Sequence, residues 1–213
     1  MTVLAETTFT QRLIQENELV ANDFSRWVFV PGMAFGSTIK WWGDEGQRER
    51  PHEGVDLCLY EDRQGKLHRL PEQTRLPAIC GGRVVRTCDD FLGRSIMIED
   101  DLRDGGKLYA MYGHTVPRPD LEVGQIVREG DIIAYLAPLP PHKTDILPHL
   151  HVSLGWAPGT VPPEQLDWER IPDLLDLIDP VQVLNGGHAT ISTVSWPELL
   201  QRLRQERRSR LSR

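Results

Sequence analysis

From residue 55 to residue 156 glycine cuts the chain into short runs of alternating apolar and polar residues, and this spacing constrains the fold more than any other feature. The runs are VDLCLY (55–60), GRVVRTC (82–88), RSIMIED (94–100), KLYAMYGH (107–114), QIVREGDIIAYL (125–136) and HLHVSLGW (149–156), the fifth with a Glu129-Gly130 turn at its middle. A period of two gives a strand one face for a core and one for solvent. Glycine turns between such runs connect antiparallel neighbours. The sequence therefore predicts an all-β fold, an antiparallel β-sandwich or open barrel, with short flanking helices.

The flanks read differently. Residues 9–25 form an amphipathic helix with Leu13, Ile14 and Leu19 on its apolar side, the main part of a helical appendage over 1–25. RWVFV (26–30) is a first strand, stopped by Pro31-Gly32. A long polar loop over 37–51 contains Trp41 and Trp42, which either line a substrate groove or cover the core; a loop of this length is often functional. A proline-rich stretch over 158–180 holds a helical turn or two at 172–178. The terminal segment 186–213 carries Leu199, Leu200 and Leu203 among arginines and reads as a basic amphipathic helix. With little apolar surface to bury, the arginine-rich tail is expected to be dispensable for folding. The stretch between the two flanks, 26–185, is expected to be one domain.

The net charge of −7 leaves no global basic field for a nucleic acid. Six arginines after Pro197 stand against Glu198 and Glu206, so the acidic excess belongs to the rest of the chain. Three cysteines make no disulfide framework and fit a reducing compartment. The first residues lack a basic start and an apolar run, so no secretory signal is visible, and on the sequence alone the chain is expected in the cytoplasm. No run approaches the ~20 apolar residues of a membrane span.

Four of the seven histidines lie in three short motifs bounded by strand-like sequence. The first is His52-Glu53-Gly54-Val55-Asp56. Imidazole and carboxylate suit zinc, and in an extended segment His52 and Asp56 share a face. Gly54, between them on that face, would leave room for an ion. The second motif is His149-Leu150-His151. On a strand these imidazoles point the same way ~7 Å apart, too far to hold one ion in identical fashion, so a division of labour is expected. The third is Tyr112-Gly113-His114. Glu53 should point away from the His52 face. Cys58 follows Asp56 on the same face and reads as a buried strand residue rather than a soft ligand. His142 reads as a loop residue, and His68 and His188 have no evident partners.

The chain resembles the lysostaphin/LytM-type zinc endopeptidases, which cut peptide cross-bridges of bacterial cell walls. The likeness spans roughly 32–184. It rests on Phe35-Gly36, His52-Glu53-Gly54-Val55-Asp56, Gly82-Arg83-Val84-Val85, the stretch LYAMYGH ending at His114, VGQIVREGDIIA (123–134), Pro148-His149-Leu150-His151-Val152 and Ile178-Asp179-Pro180. It implies one Zn2+ per chain held by His52, Asp56 and His151, with His149 and His114 as catalytic histidines beside the metal. It implies a peptide or peptidoglycan substrate and a place in the cell envelope. Three segments depart from the minimal family pattern: the 37–51 loop, the 160–177 insert, and the stiff, charged 137–145 where the family has a glycine-rich loop. Two other functions fit parts of the sequence. One is a non-hydrolytic binding or regulatory module on the same fold. The other is a non-haem iron oxygenase, since two histidines and a carboxylate can form a facial triad.

Overall fold

The glycine-spaced runs form strands in the computed structural model, which describes residues 6–19, 23–102, 105–143, 145–192 and 195–211, the last with side chains to Leu203. The strands are β1 (Phe24–Phe29), β2 (Val55–Leu57), β3 (Leu59–Asp62), β4 (Leu67–Arg69), β5 (Arg75–Pro77), β6 (Gly82–Asp89), β7 (Arg94–Asp101), β8 (Lys107–Pro117), β9 (Ile126–Val127), β10 (Ile132–Leu136), β11 (Leu150–Ala157), β12 (Asp176–Ile178) and β13 (His188–Thr190). Three α-helices accompany them among the described residues: α1 (Phe9–Glu16), α2 (Ile171–Leu174) and α3 (Trp196–Leu211). No helix among the described residues is long and apolar enough to cross a membrane.

The strands make two sheets. The larger has nine strands and runs β12-β11-β8-β7-β6-β9, with β2 added beside β11 and β10 joining β8 to β5. The smaller runs β13-β1-β3-β4. All pairings between these strands among the described residues are antiparallel except β1 with β13. The expected all-β, largely antiparallel architecture is therefore present.

VDLCLY is not one strand. β2 pairs with β11 in the large sheet, whereas β3 pairs with β1 in the small one, so the chain crosses between sheets at Cys58. The crossing requires a break in the ladder, and Cys58, fully buried there, fills the main core. Burial pushes its thiol well above the ordinary range.

Alternation on β8 assigns its two faces. Ala110 and Tyr112 enter the main core, as do Ile96 and Ile98 on β7. Tyr109, Met111 and Met97 face a second cluster completed by Val161, Leu166, Ile171 and Leu175. The 160–177 insert thus covers the outer face of the large sheet.

The helices differ from expectation. The first helix ends at Glu16 rather than near 25. Asn17 stops it: its side-chain amide donates to the Leu13 carbonyl at 2.8 Å and to the Arg75 carbonyl at 2.9 Å, while its oxygen accepts from the Arg75 N–H. The cap satisfies a helix-end carbonyl and ties the helix to β5. Residues 20–22 of the expected helix lie outside the described residues. At the other end Trp196, Leu199, Leu200 and Leu203 belong to the main core. The premise that this segment has little apolar surface to bury is corrected: the apolar side of α3 docks.

Candidate metal centre

The site begins with strand register. In the antiparallel β2–β11 pair His151 stands directly opposite Asp56, and Leu150 and Val152 stand opposite Leu57 and Val55. The four apolar residues are in the main core, so the two-residue period turns Asp56 and His151 to the other face together. His52 comes from the segment just before β2. Its backbone N–H donates to the Ser37 carbonyl and its own carbonyl accepts from Gly36 N–H, which fixes the entry to the strand.

Three ligand-type atoms converge. Asp56 Oδ1 is 2.9 Å from His151 Nδ1 and 3.5 Å from His52 Nε2, and the two nitrogens are 3.2 Å apart. An ion with tetrahedral bonds of ~2.0–2.2 Å would have ligand–ligand edges of about 3.3–3.6 Å. The 3.5 Å edge falls in that range and the 3.2 and 2.9 Å edges lie just below it, and these residues form a group able to hold a metal ion.

The far sides of the rings agree with this reading. His52 Nδ1 lies 3.1 Å from the Ala34 carbonyl, which can only accept, so Nδ1 carries the proton and Nε2 keeps its lone pair. His151 Nε2 is 3.0 Å from Ser153 Oγ and 3.6 Å from Glu53 Oε1. Hydrogen bonds of this kind on the distal nitrogen orient ligating histidines in metal sites. Either a proton on His151 Nδ1 or a cation in its place satisfies the three facing atoms. Burial opposes a charge on Asp56, but the facing imidazoles outweigh it and hold the carboxyl well below the usual range. Burial also lowers the His151 ring, against the pull of Asp56. An anionic carboxylate and neutral imidazoles are the forms that a divalent cation binds. The residues present therefore fit zinc.

The outer oxygen of Asp56 is also held. Trp41 Nε1 donates to Oδ2 at 2.6 Å, and Arg48 Nη2 lies 4.0 Å away. Trp41 is buried edge-on against Trp196 of α3, ring centres 4.6 Å apart, and against His149, 5.0 Å apart. Trp41 both covers the core and reaches the site.

His149 and His114 stand beside the three ligand-type residues. His149 Nδ1 lies 2.9 Å from the Leu147 carbonyl and so carries its proton there, leaving Nε2 free, 3.8 Å from Asp56 Oδ1. Burial pushes the His149 ring down to about 3. The His114 ring centre is 4.7 Å from that of His149 and 6.1 Å from that of His151. Its Nδ1 lies 3.0 Å from Asp90 Oδ1.

The departing segments form the walls. Trp168, from the insert, packs edge-on against His151 with ring centres 4.7 Å apart and donates to Ser95 Oγ at 2.8 Å. Gly113 makes room for it: a Cβ there would stand 3.1 Å from the Trp168 ring. Arg50 of the long loop pairs with Asp173 of α2 at 2.9 Å. Lys143 sits 4.1 Å over the exposed ring of Phe91, beside His114.

All five histidines and carboxylates expected at a site are brought together: His52, Asp56, His114, His149 and His151. Two finer expectations fail. Glu53 approaches His151 Nε2 instead of pointing away, because the chain bends at residues 53 and 54 before β2 begins. Gly54 does not make room for an ion. A Cβ at Gly54 would stand 2.1 Å from the Val152 carbonyl oxygen and 2.5 Å from Ser153 Oγ, so glycine permits the close approach of β11. His68, without an evident partner in the sequence, bonds Asp62 at 2.7 Å in the small sheet. Sequence reasoning missed Asp90 and Trp168 and left Trp41 undecided. A tryptophan in a polar loop was the available signal for Trp41; Asp90 carries none that a single sequence reveals.

No family model and no curated protein matches the chain. Among solved structures it is similar to lysostaphin, at 23% identity and a TM-score of 0.40, over 58% of this chain and 42% of that one. It thus spans less than half of lysostaphin. It is also similar to a catalytic-domain mutant of the prophage-encoded M23 protein EnpA from Enterococcus faecalis, at 24% identity and a TM-score of 0.37, over 65% of this chain and 97% of that one. A third likeness is to an M23 peptidase from Pseudomonas aeruginosa, at 17% identity and a TM-score of 0.39, over 84% and 62%.

Proposed function

We propose that the chain is a zinc-dependent endopeptidase that hydrolyses peptide bonds in peptidoglycan cross-bridges or stem peptides. The observation that carries this reading is the convergence of His52 Nε2, Asp56 Oδ1 and His151 Nδ1 beside two further histidines. Three protein ligands leave one position of a tetrahedron open, the arrangement of a catalytic zinc rather than a structural one. Zinc bound there would supply a Lewis acid that lowers the pKa of water toward ~7 and polarises a carbonyl.

The chain's own residues supply the rest. His149, its Nδ1 proton committed to Leu147, keeps an unprotonated Nε2 3.8 Å from Asp56 Oδ1 and is placed to take a proton from a water held beside that carboxylate. His114, its Nδ1 committed to Asp90, turns its Nε2 to the same space. Between them the two rings receive the proton and return it to the leaving amine, with the protonated ring donating to the developing oxyanion. Trp41 holds Asp56 by its hydrogen bond and Trp168 packs on the His151 ring, so each supports one ligand. The peptidoglycan substrate rests on the resemblance of the sequence motifs.

The test is incubation of the purified protein with defined peptidoglycan fragments and peptides, read by mass spectrometry. The expected result is cleavage that a chelator abolishes and zinc restores, with one zinc per chain by elemental analysis. No cleavage at any zinc loading, or activity that needs iron and oxygen instead, overturns the proposal.

A further inference from the structure

His114 sits where the large sheet is irregular. In the β7–β8 pair Arg94 stands opposite Thr115 and Ile96 opposite Tyr112, so Ser95 alone faces both Gly113 and His114. This is a β-bulge, a device that re-aims a side chain out of a regular ladder. His114 adopts the left-handed conformation there, with φ of 63°. A residue with a Cβ pays roughly 1–2 kcal/mol for that conformation, and such strain persists only where neighbours enforce it.

Asp90 is the neighbour that enforces it. Its Oδ2 accepts the His114 backbone N–H at 2.8 Å, and its Oδ1 faces His114 Nδ1 at 3.0 Å. One carboxylate therefore brackets both the strained backbone and the ring. Asp90 is itself immobilised: Oδ1 also accepts the Leu92 and Gly93 N–H groups at 2.9 and 2.8 Å, and Oδ2 accepts Ser95 Oγ at 2.7 Å. Ser95 Oγ in turn accepts Trp168 Nε1, so the insert that packs on His151 also steadies the carboxylate behind His114. The Asp90 side chain is 2% exposed. Burial opposes its charge, but the hydrogen bonds from His114 outweigh burial and keep it ionised. An ionised carboxylate can only accept, which places the His114 proton on Nδ1 and leaves Nε2 free.

We infer that Asp90 is the positioning residue of His114, fixing the Nδ1–H tautomer, aiming Nε2 into the cleft and stabilising the imidazolium that forms when His114 takes a proton. The inference rests on the peptidase reading for its kinetic consequence and stands apart from it for its structural one. A base oriented by a buried acceptor on its far nitrogen is a recurring catalytic arrangement, in which losing the acceptor's charge costs up to ~10⁴ in turnover.

The experiment uses the zinc-loaded protein. In Asp90→Asn zinc content and KM should stay close to wild type while kcat falls by roughly 10²–10⁴. The double variant Asp90→Asn/His114→Ala should be no slower than His114→Ala alone, because Asp90 acts through that ring. Additive losses, or an unchanged kcat in Asp90→Asn, overturn the inference. Nitrogen NMR of the imidazoles, with His114 assigned by its absence in His114→Ala, should show Nδ1–H in the wild type. An Nε2–H ring there overturns the inference even if Asp90→Asn fails to fold. If the wild type cleaves nothing, the peptidase reading falls, while the tautomer result still decides the role of Asp90.

Discussion

The two sides of the cleft are held by different means. Asp56 and His151 occupy regular, directly opposed positions in the β2–β11 ladder, with apolar neighbours turned into the main core. His114 stands at a bulge, in a left-handed backbone conformation, bracketed by one buried carboxylate. Register places the first pair, because a slip of one residue would turn Asp56 into the apolar core and Val55 and Leu57 onto the site face. No such pattern places His114. The contrast suits the proposed division of work: ligand atoms must keep fixed separations, whereas a proton-transferring ring needs a set tautomer and direction.

The largest expected effect tests what backs the ladder side. α3 seats Trp196 on Trp41, which holds Asp56. Cutting one buried leucine to alanine typically costs ~2–5 kcal/mol, and truncation at Ser195 removes Leu199, Leu200 and Leu203 together with Trp196, all buried. Such a truncation should lower the melting temperature by far more than a few degrees, with Leu200→Ala showing a smaller shift in the same direction. A truncated chain that melts like the full one would show that α3 contributes nothing to the core.

A smaller effect separates the two sides. Trp41→Phe keeps the aromatic packing and removes the donor to Asp56 Oδ2. Zinc affinity should weaken by roughly 10–100-fold, the usual cost of losing an outer partner of a ligand, while the His114 tautomer stays as in the wild type. Competition against a calibrated chelator measures the first and NMR the second. Unchanged affinity would mean that the ladder holds Asp56 without help.

The smallest effect lies on the His114 side and depends on pH. The folded-state carboxyl of Asp90 is held well below the ~3.9 of an unfolded aspartate by the His114 hydrogen bonds. Its contribution to stability is therefore fully present above about pH 5 and is lost as pH falls through the lower, folded value. Asp90→Asn removes that contribution. Denaturant unfolding should find the variant less stable than wild type near neutral pH, with the gap narrowing between about pH 4 and 2. A gap that stays constant with pH would mean that Asp90 gains no charge-dependent stabilisation from His114.

Much of the ladder side was legible in the sequence, and little of the other. Strand alternation located β6, β7 and β11 to within a residue, and β8 from its first residue but three short at its end, because burial on one face writes a period of two. The same alternation, with the His-x-Gly-x-Asp and His-x-His spacings, singled out His52, Asp56, His149 and His151. It could not show that VDLCLY crosses between sheets, since both halves are buried and read as one run. Nor could it show that Gly54 serves backbone approach: that depends on β11, almost a hundred residues away. Trp41 and Trp168 act through single long-range hydrogen bonds and Asp90 through a cluster of them, all from loops, which impose no period on the sequence. The leucines of α3 looked too few to matter because the arginines around them dominate its composition, yet an apolar side of four residues suffices to dock.

The central claim is that two histidines separated by one residue do different work. Zinc stoichiometry and peptide cleavage, measured side by side on His149→Ala and His151→Ala, test it directly. His151→Ala should lose its zinc and its activity together. His149→Ala should keep one zinc per chain and cleave more slowly by ~10²–10⁴, the usual cost of a lost general base or oxyanion donor. A His149→Ala protein without zinc beside a His151→Ala protein that retains it would contradict the account.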